Sequence, residues 1–109
     1  MSDSDRPEEG QVILYRGATG AVRIEVLYQT QTFWLSQKQL SELFGVELPT
    51  ISYHLKEIYA SGELEQDPTI RKIRRVQRKG NRDVSREIEF YNLDAIISVG
   101  YRVEENSEG

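Results

Sequence analysis

The stretch from Leu35 to Leu64 constrains the fold more than any other part of the chain. Its spacing predicts two helices joined by a tight turn. Ser36 and Gln39 stand at capping-box separation, which starts the first helix at Gln37. Leu40, Leu43 and Phe44 then share one apolar face. Gly45 falls where the chain must turn, and glycine tolerates the left-handed backbone needed there. Val46 fills the corner. Pro49 lies in the first turn of the second helix, where no backbone N–H is missed. Ile51, Leu55 and Ile58 give that helix its buried face, and Gly62 closes it.

Two short helices with a glycine corner form the pattern of a helix-turn-helix, whose second helix enters a DNA major groove. On a helical wheel, Thr50, Tyr53, Lys56, Glu57 and Ala60 lie opposite the apolar stripe, with Ser52 and His54 on its flanks. Thr50, Ser52, Tyr53, His54 and Lys56 carry groups that reach base edges or phosphates. Gln37 and Lys38, at the start of the first helix, join them as DNA-binding candidates. The competing reading is a helical hairpin that only packs a core.

The formal net charge of −4 runs against nucleic-acid binding, but its distribution is uneven. Asp3, Asp5, Glu8 and Glu9 crowd one end, and Glu104, Glu105 and Glu108 the other. We expect residues 1–10 and 104–109 to be disordered acidic segments, with one domain over 11–103. Between them, Arg71, Lys72, Arg74, Arg75, Arg78, Lys79, Arg82 and Arg86 are opposed only by Asp83 until Glu87. A phosphate senses charge within a Debye length of about 8–10 Å, so the local cluster outweighs the net value. If about four to six of these cations touch phosphates, log K falls with log salt at a slope of about −4 to −5. The competing reading is a solvated strand face paired with Glu87 and Glu89.

Val12–Tyr15 reads as an edge strand, and residues 16–20 as a turn. Val22, Ile24, Val26 and Tyr28 alternate with Arg23 and Glu25, the signature of a half-buried strand. Residues 29–32 turn the chain, and Phe33–Leu35 is a second strand feeding the helix pair. Trp34, the sole tryptophan, is expected to pack. Residues 63–68 read as an exposed loop. Residues 70–77 are ambiguous: Ile70, Ile73 and Val76 recur every third residue, while β-branching favours a strand. A turn at 78–83 with Gly80–Asn81 at its tip, then a strand from Val84 to Tyr91, completes a hairpin in the place of a wing. Asn92 caps a last helix through Ala95–Val99, ended by Gly100. The fold expected is α+β: a winged helix-turn-helix with an N-terminal β-hairpin and a basic β-hairpin wing.

Catalytic signals are weak. The chain has no Cys and one His, with no second ligand at metal spacing. It lacks a phosphate-cradling Gly-x-x-x-x-Gly-Lys loop and any pair of carboxylates that stands out as acid and base. We expect no enzyme activity, metal or cofactor. A nuclease would need carboxylates that converge in space. No apolar run approaches bilayer length or forms a signal core, so no membrane association and a cytoplasmic setting are expected.

Residues Phe33–Val46, Thr50–Ser52 with His54–Leu55, Gly62–Leu64 and above all Phe90–Val103 carry a family likeness. Over about Val22 to Val103 the chain resembles the N-terminal region of the RhuM family of bacterial virulence-associated proteins. The resemblance implies a DNA-binding-like fold in a bacterial or phage-derived setting, but no settled biochemical activity. Members look like a DNA-binding head followed by a longer C-terminal region. This chain departs from the family pattern at Glu104, which suggests a free-standing or truncated head.

The function expected from these readings is a DNA-binding module, a transcriptional regulator with double-stranded DNA as its partner. The alternative is a protein-interaction module of the same shape, acting on a protein partner by inhibition or DNA mimicry. A homodimer through the first strand or the last helix is a further expectation.

Overall fold

In the computed structural model, which describes residues 10–16 and 22–106, the alternating segment forms a strand buried on one side only. The elements in chain order are β1 (Gly10–Arg16), β2 (Val22–Gln29), β3 (Thr32–Ser36), α1 (Gln37–Phe44), α2 (Leu48–Ala60), α3 (Gln66–Thr69), β4 (Ile70–Lys79), β5 (Arg82–Asn92) and α4 (Leu93–Asn106). The fold is α+β. The strands form one antiparallel sheet in the order β1-β2-β3-β5-β4, so the N-terminal and basic hairpins are halves of one sheet. The acidic leader, except Gly10, and the turn after Arg16 lie outside the described residues.

Local chemistry places the helices. Ser36 accepts the backbone N–H of Gln39, and the Gln39 side chain accepts the Ser36 N–H, closing the capping box. Gly45 takes φ 69° and its N–H reaches the Ser41 carbonyl, so the chain turns there without a Cβ clash. Pro49 sits in the first turn of α2. Asn92 accepts the Ala95 N–H and caps α4.

One face of the sheet is covered by helices. Ile24 and Val26 of β2, Leu35 of β3 and Tyr91 of β5 meet Leu40, Ile51, Leu55, Ile58, Ala95, Ile96 and Val99. Because strand side chains alternate, Trp34 and Phe90 point to the opposite side. They are nonetheless buried, at 5% and 3% exposure. Long side chains from β4 roof them: the Arg71 guanidinium lies 5.6 Å from the Trp34 ring centroid, and that of Arg75 lies 5.5 Å from Phe90.

Two expectations about these elements need correction. Gly100 does not end the last helix, which runs to Asn106, so Glu104 and Glu105 are helical rather than part of a disordered tail. The glycine answers a packing demand: a Cβ there would meet two Phe44 ring atoms at 3.1 Å. The segment after Gly62 is not loop throughout, since α3 forms within it and buries Thr69, whose hydroxyl donates to the Glu65 carbonyl at 2.6 Å. The ambiguity at 70–77 resolves in favour of the strand and the expected hairpin, because Ile70–Lys79 is one continuous strand paired with β5.

Candidate nucleic-acid interface

The β4–β5 register sorts the basic segment into two different faces. Lys72 stands opposite Glu89, Arg74 opposite Glu87 and Arg78 opposite Asp83, with Arg78 and Asp83 bridged at 3.5 Å. That face is electrically balanced. The other face carries Arg71, Arg75, Lys79, Arg82 and Arg86, with Ile73, Gln77, Val84, Ile88 and Phe90 between them and no carboxylate. Three of the eight cations therefore face a carboxylate across the ribbon, with an ion pair at Arg78–Asp83, and the other five face none.

The acid-free face is ordered by rungs. Arg75 faces Arg86, and Lys79 faces Arg82 four residues further out. At strand rise these cationic rungs are about 13 Å apart. Between them lies the neutral rung Gln77–Val84. Arg71, at the base, donates to Gln29 Oε1 at 2.8 Å. Lys79, Arg82 and Arg86 are exposed. Gly80, at φ 64°, supplies the positive φ of a two-residue turn and holds both strands in register to the tip. Cations on a free edge also resist pairing with another sheet, and β4 is an edge strand. The same holds for Arg82 and Arg86, because β5 meets β3 only at Phe90–Asn92 and its outer part has an open edge as well.

The ribbon face shares a concavity of about 380 Å³ with α1. Lys38 borders it together with Arg75 and Gln77, and so do the carboxylates of Glu25 and Glu42. Gln37 is engaged elsewhere: its side-chain amide donates to the Tyr91 hydroxyl at 3.1 Å.

The exposed side of α2 belongs to a different surface. Tyr53 and Lys56 are exposed, while Thr50 and Ser52 are half-buried. The Tyr53 hydroxyl donates to Glu57 at 2.9 Å. Arg102 of α4 bridges Glu57 at 3.2 Å and Glu63 at 2.9 Å, and it holds the Glu63 carboxyl below its ordinary pKa. Tyr53, Lys56, Glu57 and Arg102 line one depression, which shares no lining residue with the concavity under the ribbon. His54 needs correction: it is only 4% exposed, and its Nδ1 has no hydrogen-bond partner. It is a buried residue of α2, not part of a groove-facing flank. Sequence reasoning missed the Arg102 bridge and the aromatic floor under Arg71 and Arg75.

Tyr91 ties the site to the core. Its hydroxyl donates to Glu89 at 2.9 Å, and burial above all pushes its pKa up to about 12. A tyrosine is neutral when protonated, so the folded chain keeps this proton while an unfolded chain loses it near pH ~10. Its contribution to stability is therefore full below about pH 10 and is lost as pH rises from about 10 to about 12, by about 2–3 kcal/mol. Urea midpoints measured across this range should fall in the parent and stay flatter in Tyr91→Phe. Parallel curves would overturn the assignment.

Among the described residues no cluster of His, Asp or Glu could hold a metal ion, and no helix is long and apolar enough to cross a membrane. No curated protein and no solved structure matches the chain. Residues 68–108 match the family model described as the virulence protein RhuM family. That span covers β4, β5 and α4 and includes the Phe90–Val103 segment, while Phe33–Val46 lies outside it. It also continues past Glu104, where a departure from the family pattern was expected. Over this C-terminal segment, which carries the whole basic ribbon, the chain is similar to the virulence protein RhuM family.

Proposed function

We propose that the chain is a DNA-binding module: a winged helix-turn-helix whose wing, the β4–β5 ribbon, grips the sugar-phosphate backbone with its acid-free face. One observation carries this reading. The strand register places five cations on one face and every ribbon carboxylate on the other. A ribbon that served only solubility would have no need for such sorting. Lys38 extends the basic surface onto α1, while the outward side of α2 lies on a separate surface. The natural role for such a module is transcriptional regulation in the cytoplasm, with binding rather than catalysis as its chemistry.

The test is a mobility-shift titration on random duplex at rising salt. About four or five phosphate contacts predict a slope of log K against log salt of about −4. Absence of any shift at about 50 mM salt would refute the reading, because nonspecific phosphate contact is strongest there.

A second reading draws on α2. Its outward side carries Glu57, tied to both Tyr53 and Arg102, so it is less open to phosphates than the ribbon is. A protein partner on that side would make the chain an interaction module, including one that inhibits a partner or mimics DNA. Charge reversal at Lys56 separates the two: it weakens DNA binding if α2 enters a groove, and leaves it intact if α2 serves a protein.

A further inference from the structure

We propose that the ribbon reads sequence as well as gripping phosphates: Gln77 and Val84 recognise one A·T base pair in the major groove. This rests on the DNA-binding reading and specifies how the ribbon contacts its target. A two-stranded β-ribbon fits the major groove, which is about 12 Å wide. Laid in it with the acid-free face inward, each cationic rung presents one cation from each strand, one toward each phosphate wall. Lys79 and Arg82 do so at the tip, and Arg86 with Arg75 on the rung nearer the body. The Arg75 guanidinium is drawn back over Phe90 in the free chain, so Arg86 is the outward group of its rung.

The rung between them faces the base edges. Gln77 is exposed and directly opposite Val84. A glutamine amide can bond the N6 and N7 of adenine together, and an aliphatic group packs on the thymine methyl. The two residues on one rung therefore complement the two halves of one A·T pair. The cationic rungs on either side, about 13 Å apart, bracket about four base pairs at 3.4 Å each. No other rung of this face combines a bidentate amide with an apolar partner, since Ile73–Ile88 is apolar on both sides.

The test uses the full chain. Oligonucleotides selected from a random duplex pool by the parent should contain a fixed A·T pair. Gln77→Ala should lose the preference at that pair by about five- to 150-fold while keeping the parent salt slope. Val84→Ala should lose the distinction between thymine and uracil there. Both side chains are surface or partly buried, and thermal unfolding of each variant confirms that it folds. If Gln77→Ala selects the parent motif, or if the parent binds with the expected salt slope but selects no motif, base reading by this rung is overturned and backbone gripping stands. If nothing binds at low salt, both fall.

Discussion

Exchanging Arg86 and Glu87, which leaves composition and net charge untouched, is expected to weaken DNA binding by about sixtyfold at about 0.1 M salt. The double variant Arg86→Glu, Glu87→Arg moves a cation from the acid-free face to the balanced one. It removes one phosphate contact, and the new carboxylate stands directly opposite Arg75, occupying a second cation. Losing about two contacts flattens the salt slope by about 2 and lowers affinity by nearly two decades at that salt. On the other face, the arginine introduced in place of Glu87 would meet Arg74, a like-charge pair costing about 0.2–1 kcal/mol at an exposed site. That cost is small beside the stability of a domain, and a melting curve checks it. Arg74→Gln is the control. It removes a full charge from the balanced face and should change affinity only slightly. Equal binding by the exchanged variant and the parent would show that total charge, not its placement, is what DNA senses.

This sorting could not be read from the sequence alone, for a physical reason. Alternation along one strand shows which residues share a side, but not which residues of the neighbouring strand share it. Pairing Arg75 with Arg86 rather than with Glu87 depends on a two-residue turn at Gly80–Asn81. A longer turn, spanning the whole of 78–83, leaves the pairing open. Local features were legible because their causes are local: the Ser36–Gln39 capping box, the Gly45 corner, Pro49 and the Asn92 cap each involve atoms within a few residues. Nonlocal features were misread. Gly100 looks like a helix stop until the Phe44 ring is seen against it. His54 sits at the margin of the Ile51–Leu55–Ile58 stripe, and α2 has both α1 and α4 beside it, so its buried arc is wider than the stripe suggests. The candidate site was legible as a basic hairpin after two helices. Its separation from the outward side of α2 was not, because Arg102 reaches Glu57 from a helix 45 residues away.

Trp34→Ala is expected to cost about 3–5 kcal/mol, a large share of the roughly 5–15 kcal/mol that holds a domain together. The indole is 5% exposed although it lies on the sheet side away from the helices. Its Nε1–H donates to the Gln29 carbonyl at 2.9 Å, beside Thr30 and Gln31, which hold positive φ values of 50° and 63°. Those residues carry side chains where a primed turn prefers glycine or asparagine, so the indole bond helps to hold an unfavourable turn. Arg71 adds to the same arrangement: its guanidinium covers the ring and bonds the Gln29 side chain. Removing the ring therefore leaves a cavity, loosens the β2–β3 turn and frees the basic residue at the root of the ribbon. For a chain of this size the melting point should fall by roughly 4–8 °C per kcal/mol. Trp34→Phe keeps the platform but loses the donor, and should cost far less while DNA binding persists. A Trp34→Ala variant as stable as the parent yet unable to bind DNA would reverse the conclusion. The ring would then be a surface for a base, and the burial that joins Arg71 to the sheet would not be what shapes the ribbon.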